Sequence, residues 1–111
     1  MRQPERIEEA GVVLHLEVDV APEQRAKFLD FCRRAFPVYE SVGGTKMALY
    51  EDKSNPNRFD EVGCYETLAD YQRGEDAIRN DPVQSALIKE WRTLLRASPK
   101  VSIFVRKELD P

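Results

Sequence analysis

The chain has 111 residues, with 17 Lys and Arg against 20 Asp and Glu, a formal charge of −3 and an apolar fraction of 41%. Those values fit a single globular domain over 1–111 with a core of its own, and they exclude a disordered chain. Scattered basic residues in an acidic chain exclude a nucleic-acid face, no stretch approaches the ~20 apolar residues of a membrane span, and the charged start of the chain lacks the apolar segment of a secretion signal. The expected location is therefore the cytoplasm, with residues 1–10 as a loosely packed leading segment.

In chain order, Val12 to Val20 alternates with the period of a strand, setting Val12, Leu14, Leu16, Val18 and Val20 on one face and Val13, His15, Glu17 and Asp19 on the other. Ala21-Pro22-Glu23 opens a helix, with proline in the first turn and an early acid at the positive helix end. Phe28, Leu29, Cys32, Ala35 and Phe36 recur at helical spacing and form its apolar stripe. Pro37 is expected to kink or close this helix, and Gly43-Gly44 to end it.

Thr45 to Glu51 reads as a second strand. Asp52 to Asn57 is dense in turn formers, and Arg58 to Glu66 reads as a third strand, so the two pair as a hairpin. Thr67-Leu68-Ala69-Asp70 fits a capping box and opens a short helix that Gly74 interrupts. Asp81 as cap and Pro82 at the first helical position begin a stronger helix, with Val83, Ala86, Leu87, Glu90, Trp91, Leu94 and Leu95 along its stripe. Ser98-Pro99 stops it, and Lys100 to Arg106 is the last strand.

The resulting β-α-β-β-α-β order predicts an α+β, ferredoxin-like fold: a four-stranded antiparallel sheet, helices on one face, first and third strands central. Under that reading Val12, Leu14, Leu16, Val18, Val62, Cys64, Ile103 and Val105 face the helices. The opposite face collects Val13, His15, Glu17, Phe59, Glu61, Tyr65, Phe104 and Arg106, a mixed aromatic and polar set suited to an interface or a ligand surface. A homodimer joined through that helix-free face is the expected assembly. Without a CxxC pair or a Cys–His cluster, no metal site is expected, and Cys32 and Cys64 are expected as buried free thiols in preference to a disulfide.

The element order resembles the dimeric α+β barrel superfamily, in particular the antibiotic-biosynthesis-monooxygenase domain, over about residues 12 to 106. The resemblance is carried by the Val12–Val20 strand, the Ala21-Pro22-Glu23 helix entry, Gly43-Gly44, the Cys64-to-Tyr71 stretch and the Asp81-Pro82 helix that holds Trp91. It implies a homodimer whose sheets form a barrel, and small pockets between sheet and helices. Its members include cofactor-independent oxygenases of polycyclic phenols, haem-degrading enzymes and isomerases. No catalytic string transfers to this chain. The haem-degrading members use a helical histidine, whereas the lone histidine here lies on a strand, so no cofactor is expected.

Individual residues carry two readings each. His15 is a candidate general base or proton donor, against an interface histidine with a hydrogen-bond partner. Glu17 and Glu61 could pair as acid and base, or Arg106 could neutralise one of them. Tyr50, Tyr65 and Trp91 could line a pocket and hydrogen-bond a ligand, against packing in the core or at a rim. Cys64 fails as a nucleophile, because alternation sets it and His15 on opposite faces. Two functions follow: a cofactor-independent monooxygenase or isomerase of a small aromatic or enolisable compound, or a non-catalytic small-molecule-binding or structural homodimer.

Overall fold

A computed structural model describes residues 10–109 of the chain. The expected leading segment lies outside the described residues except for Ala10, which is buried. Strand β1 (Val12–Asp19) sits beside β3 (Asn55–Tyr65) at the centre of a four-stranded antiparallel sheet in the order β2-β3-β1-β4, where β2 is Thr45–Asp52 and β4 is Lys100–Val105. Helices α1 (Arg25–Glu40), α2 (Leu68–Asn80) and α3 (Pro82–Leu94) complete the fold. The α+β, ferredoxin-like expectation is met in both element order and strand order.

Val18, Val20, Phe28, Phe31, Cys32, Ala35, Phe59, Trp91 and Leu94 form the main core between sheet and helices. Both cysteines are free thiols as expected, Cys32 buried but Cys64 only half-buried. Among the described residues no helix is long and apolar enough to cross a membrane.

Local details depart from expectation in four places. Pro37 lies inside α1, which continues to Glu40. A proline this close to the helix end removes one backbone donor, and the helix tolerates the loss over its last residues. The turn between β2 and β3 is tighter than Asp52 to Asn57, because β3 begins at Asn55 and the Asp52 side chain accepts from the Ser54 backbone N–H at 2.8 Å. Gly74 does not interrupt α2, which runs unbroken for 13 residues. It starts from the expected capping box, Asp70 N–H donating to Thr67 Oγ1 and Thr67 N–H to Asp70 Oδ2, each at 3.1 Å. The buried side of α3 is Gln84, Trp91 and Leu94, with Val83 and Ala86 exposed.

The consequential correction concerns the phase of β3. Val12 pairs with Tyr65, Leu14 with Gly63, Leu16 with Glu61 and Val18 with Phe59. Residues directly opposite in an antiparallel pair share a face. Phe59, Glu61 and Tyr65 therefore point toward the helices with the β1 apolar row, and Val62 and Cys64 lie on the open face with Val13 and His15. Alternation alone does not decide this, because both faces of Arg58–Tyr65 carry apolar residues. The register with β1 decides it, since a slip of one residue would turn every side chain over.

Candidate functional site

Between sheet and helices lies a partly open cavity of about 50 Å³, lined by Leu14, Leu16, Thr45, Met47, Glu61 and Tyr65 from the sheet and by Tyr39, Gly74, Ile78, Gln84, Ile88 and Trp91 from the helices. The walls are mostly apolar, with a few polar groups turned inward. This volume holds a head group of a few atoms, several times the minimum for one water.

Glu61 is the chemically distinct member. It stands on central strand β3 and is only 2% exposed, so its carboxylate is desolvated. The indole Nε1–H of Trp91 donates to Glu61 Oε2 at 2.6 Å. Burial pushes the Glu61 pKa up from the ordinary carboxylate range to about 7, with the Trp91 hydrogen bond opposing the shift and the neighbouring Asp60 charge adding to it. A carboxyl group poised near neutrality can take a proton and return it. Burial also raises the Tyr65 hydroxyl to about 12 and pushes the Tyr39 hydroxyl up, so both phenols remain protonated donors. The Cys32 thiol beneath them is pushed up by burial and by Glu61, which leaves it unreactive.

Glu61, Tyr65 and Trp91, three of the residues singled out from sequence, thus meet in one place. His15, Tyr50 and Arg106 do not join them. His15 is on the opposite face of the sheet, where its Nδ1–H donates to Asp60 Oδ2 at 2.7 Å and its ring packs edge-on against Phe104 with centroids 5.6 Å apart. Tyr50 is 61% exposed, at the outer strand of the sheet. Arg106 follows β4, bonds its backbone N–H to the Gly11 carbonyl at 2.8 Å and has its guanidinium 3.5 Å from Glu108. Glu17 pairs with Lys100 at 3.6 Å, and the alternative of an acid–base pair between Glu17 and Glu61 is absent because the two carboxylates occupy opposite faces.

Sequence reading missed Tyr39 and Gln84. Gln84, Ile88 and Trp91 recur at the four- and seven-residue spacing of one helix face, a signal obscured by the polarity of the glutamine. Tyr39 comes after Pro37, where the helix was expected to end.

No family model matches the sequence, and no curated protein matches it. Solved structures share its fold. A conserved protein from Methanosarcina mazei Go1 is 15% identical, with 91% of this chain and 97% of that one covered and a TM-score of 0.78. A mutant of SnoaB, a cofactor-independent oxygenase from Streptomyces nogalater, is 14% identical, covering 90% and 96%, with a TM-score of 0.74. An antibiotic biosynthesis monooxygenase is 12% identical, covering 87% and 99%, with a TM-score of 0.72. The chain has the α+β fold of antibiotic-biosynthesis-monooxygenase-like proteins.

Proposed function

We propose that this protein is a cytoplasmic, homodimeric, cofactor-independent oxygenase or isomerase of small enolisable or phenolic compounds, with its substrate head group in the cavity and Glu61 as the general base. The observation that carries this reading is the carboxyl group of Glu61, buried in an apolar cavity beside the Trp91 donor with a pKa of about 7. SnoaB, of the same fold, acts as a cofactor-independent oxygenase. His15 has no part in this chemistry, because the sheet separates it from the cavity.

Glu61 takes a proton from a carbon next to a carbonyl or a phenolic ring. In the isomerase case the proton returns at another carbon. In the oxygenase case the carbanion adds molecular oxygen and regains the proton as a hydroperoxide. On a carbon that began with two hydrogens, the second one then leaves with the outer oxygen and its proton as water and a carbonyl remains, so one oxygen atom enters the product and the other departs as water. The Tyr39 and Tyr65 hydroxyls supply donors to the developing oxyanion.

The test is oxygen uptake, and exchange of substrate hydrogen with deuterated solvent, across a panel of small 1,3-diketones. Turnover rises through about pH 7 as Glu61 ionises, and Glu61→Gln lowers kcat by about a hundredfold or more. Binding in the cavity with neither uptake nor exchange would make the protein the non-catalytic small-molecule-binding homodimer instead.

A further inference from the structure

The cavity combines a buried carboxyl group with a complete lack of positive charge: among the described residues that line it there is no Lys, Arg or His. We infer that Glu61 makes this cavity a charge filter, admitting an uncharged head group that carries a hydroxyl or enol O–H and turning away carboxylates and phosphates. This rests on the reading of the cavity as the substrate site and adds the substrate's charge class to it.

The physical reason is local. An anion entering the cavity would lose its hydration and find no cation to replace it. It would also stand within a few ångströms of the Glu61 carboxylate, in surroundings that screen poorly. A neutral O–H meets neither cost, because a carboxylate that already accepts from Trp91 Nε1 has lone pairs left for a second donor. Met47, Ile78 and Ile88 give the cavity an apolar wall beside that acceptor. The titratable groups on the cavity side of Glu61 are Tyr39 and Cys32 of α1 and Tyr65 of β3, and the charge of the adjacent Asp60 reaches it from the opposite face of the sheet. Burial keeps the two phenols and the thiol protonated, so the charge that changes near neutrality inside the cavity is that of Glu61.

The sequence contains one Trp, so a single indole N–H resonance reports on the cavity directly. Its chemical shift is followed in the full chain while benzyl alcohol, benzoate and benzylammonium are added separately, a series of similar shape and different charge. At about pH 8 benzyl alcohol shifts the resonance saturably, and benzoate binds roughly a hundredfold more weakly. At about pH 5.5, where Glu61 is protonated and benzoate is still an anion, the difference narrows to within about tenfold without any mutation. Glu61→Gln narrows it in the same way at the higher pH. Benzoate binding as tightly as the alcohol at about pH 8 overturns the inference. So does tighter binding of benzylammonium, which would make this a cation site, and so does a resonance that none of the three compounds moves. Binding is read here and turnover is not, so failure of the oxygenase reading alone leaves this result unchanged.

Discussion

Glu61 and Trp91 are coupled through one hydrogen bond, and each has a measurable consequence. The Glu61 pKa is about 7 in the folded protein against 4.5 for the ordinary group. The folded state therefore binds more protons than the unfolded state between those values, and stability falls as pH rises through that window. The full effect is on the order of 3 kcal/mol. Urea unfolding of the wild type at a series of pH values should show this decline, and Glu61→Gln should abolish it. Asp19, Asp52, Asp70 and Glu90 are held below their ordinary values by hydrogen bonds and neighbouring cations, so their contribution is lost at more acidic pH and leaves the window to Glu61. Trp91→Phe keeps an aromatic ring but removes the one donor seen on the Glu61 carboxylate, together with part of the buried indole volume. The lost volume should cost stability at every pH, and the lost donor should add about 1–2 kcal/mol at about pH 9, where the carboxyl group is ionised, over the cost in mild acid, where it is neutral. A loss independent of pH would mean that Trp91 acts through packing alone.

At the scale of elements, the entry into α2 is tied to the turn before β2. Gly43 and Gly44 have φ of 92° and 73°, a region that disfavours residues with a Cβ. A Cβ on Gly44 would also collide with the Asp70 carboxylate, which caps α2 and pairs with Arg73. Gly44→Ala should therefore destabilise the fold by about 1–3 kcal/mol, combining backbone strain with disturbance of the cap. Thermal unfolding checks this, and an unchanged Tm would show that the turn adapts freely. The cap itself was legible as Thr67 and Asp70 three residues apart, because capping is local. The face of β3 was not legible, because Arg58-Phe59-Asp60-Glu61-Val62 carries polar and apolar residues on both sides. Only pairing with β1 could choose between them.

At the scale of the whole molecule, helices cover one side of the sheet and leave the other with His15, Tyr50, Val62, Cys64 and Phe104. Phe104 is 59% exposed, and Val101, Ile103 and Val105 on the other side of edge strand β4 are exposed as well. An apolar strand at a sheet edge needs cover. The proposed homodimer would cover Phe104 through the helix-free face, whereas Val101, Ile103 and Val105, which share the helix side with Leu16, Leu14 and Val12, lie outside that interface. Phe104→Asp should move the sedimentation mass of the assembly toward one chain while leaving far-UV circular dichroism unchanged. A wild-type protein of one-chain mass at micromolar concentration would sink the dimer.

What the sequence by itself determined is whatever depends on near neighbours: the strand and helix periods, the caps at Thr67 and Asp81, the glycine turn, and through their order the fold. Tyr65 and Trp91 were already marked as aromatics able to line a pocket. Glu61 was marked as a ligand-binding residue, able to act as an acid–base group or to pair with Arg106, but on the wrong face. Tertiary structure alone decided that Glu61 is desolvated against Trp91 and that His15 is excluded from the cavity. A carboxylate's acidity depends on burial and on a donor 30 positions away in the chain, and neither exists until sheet and helices have packed.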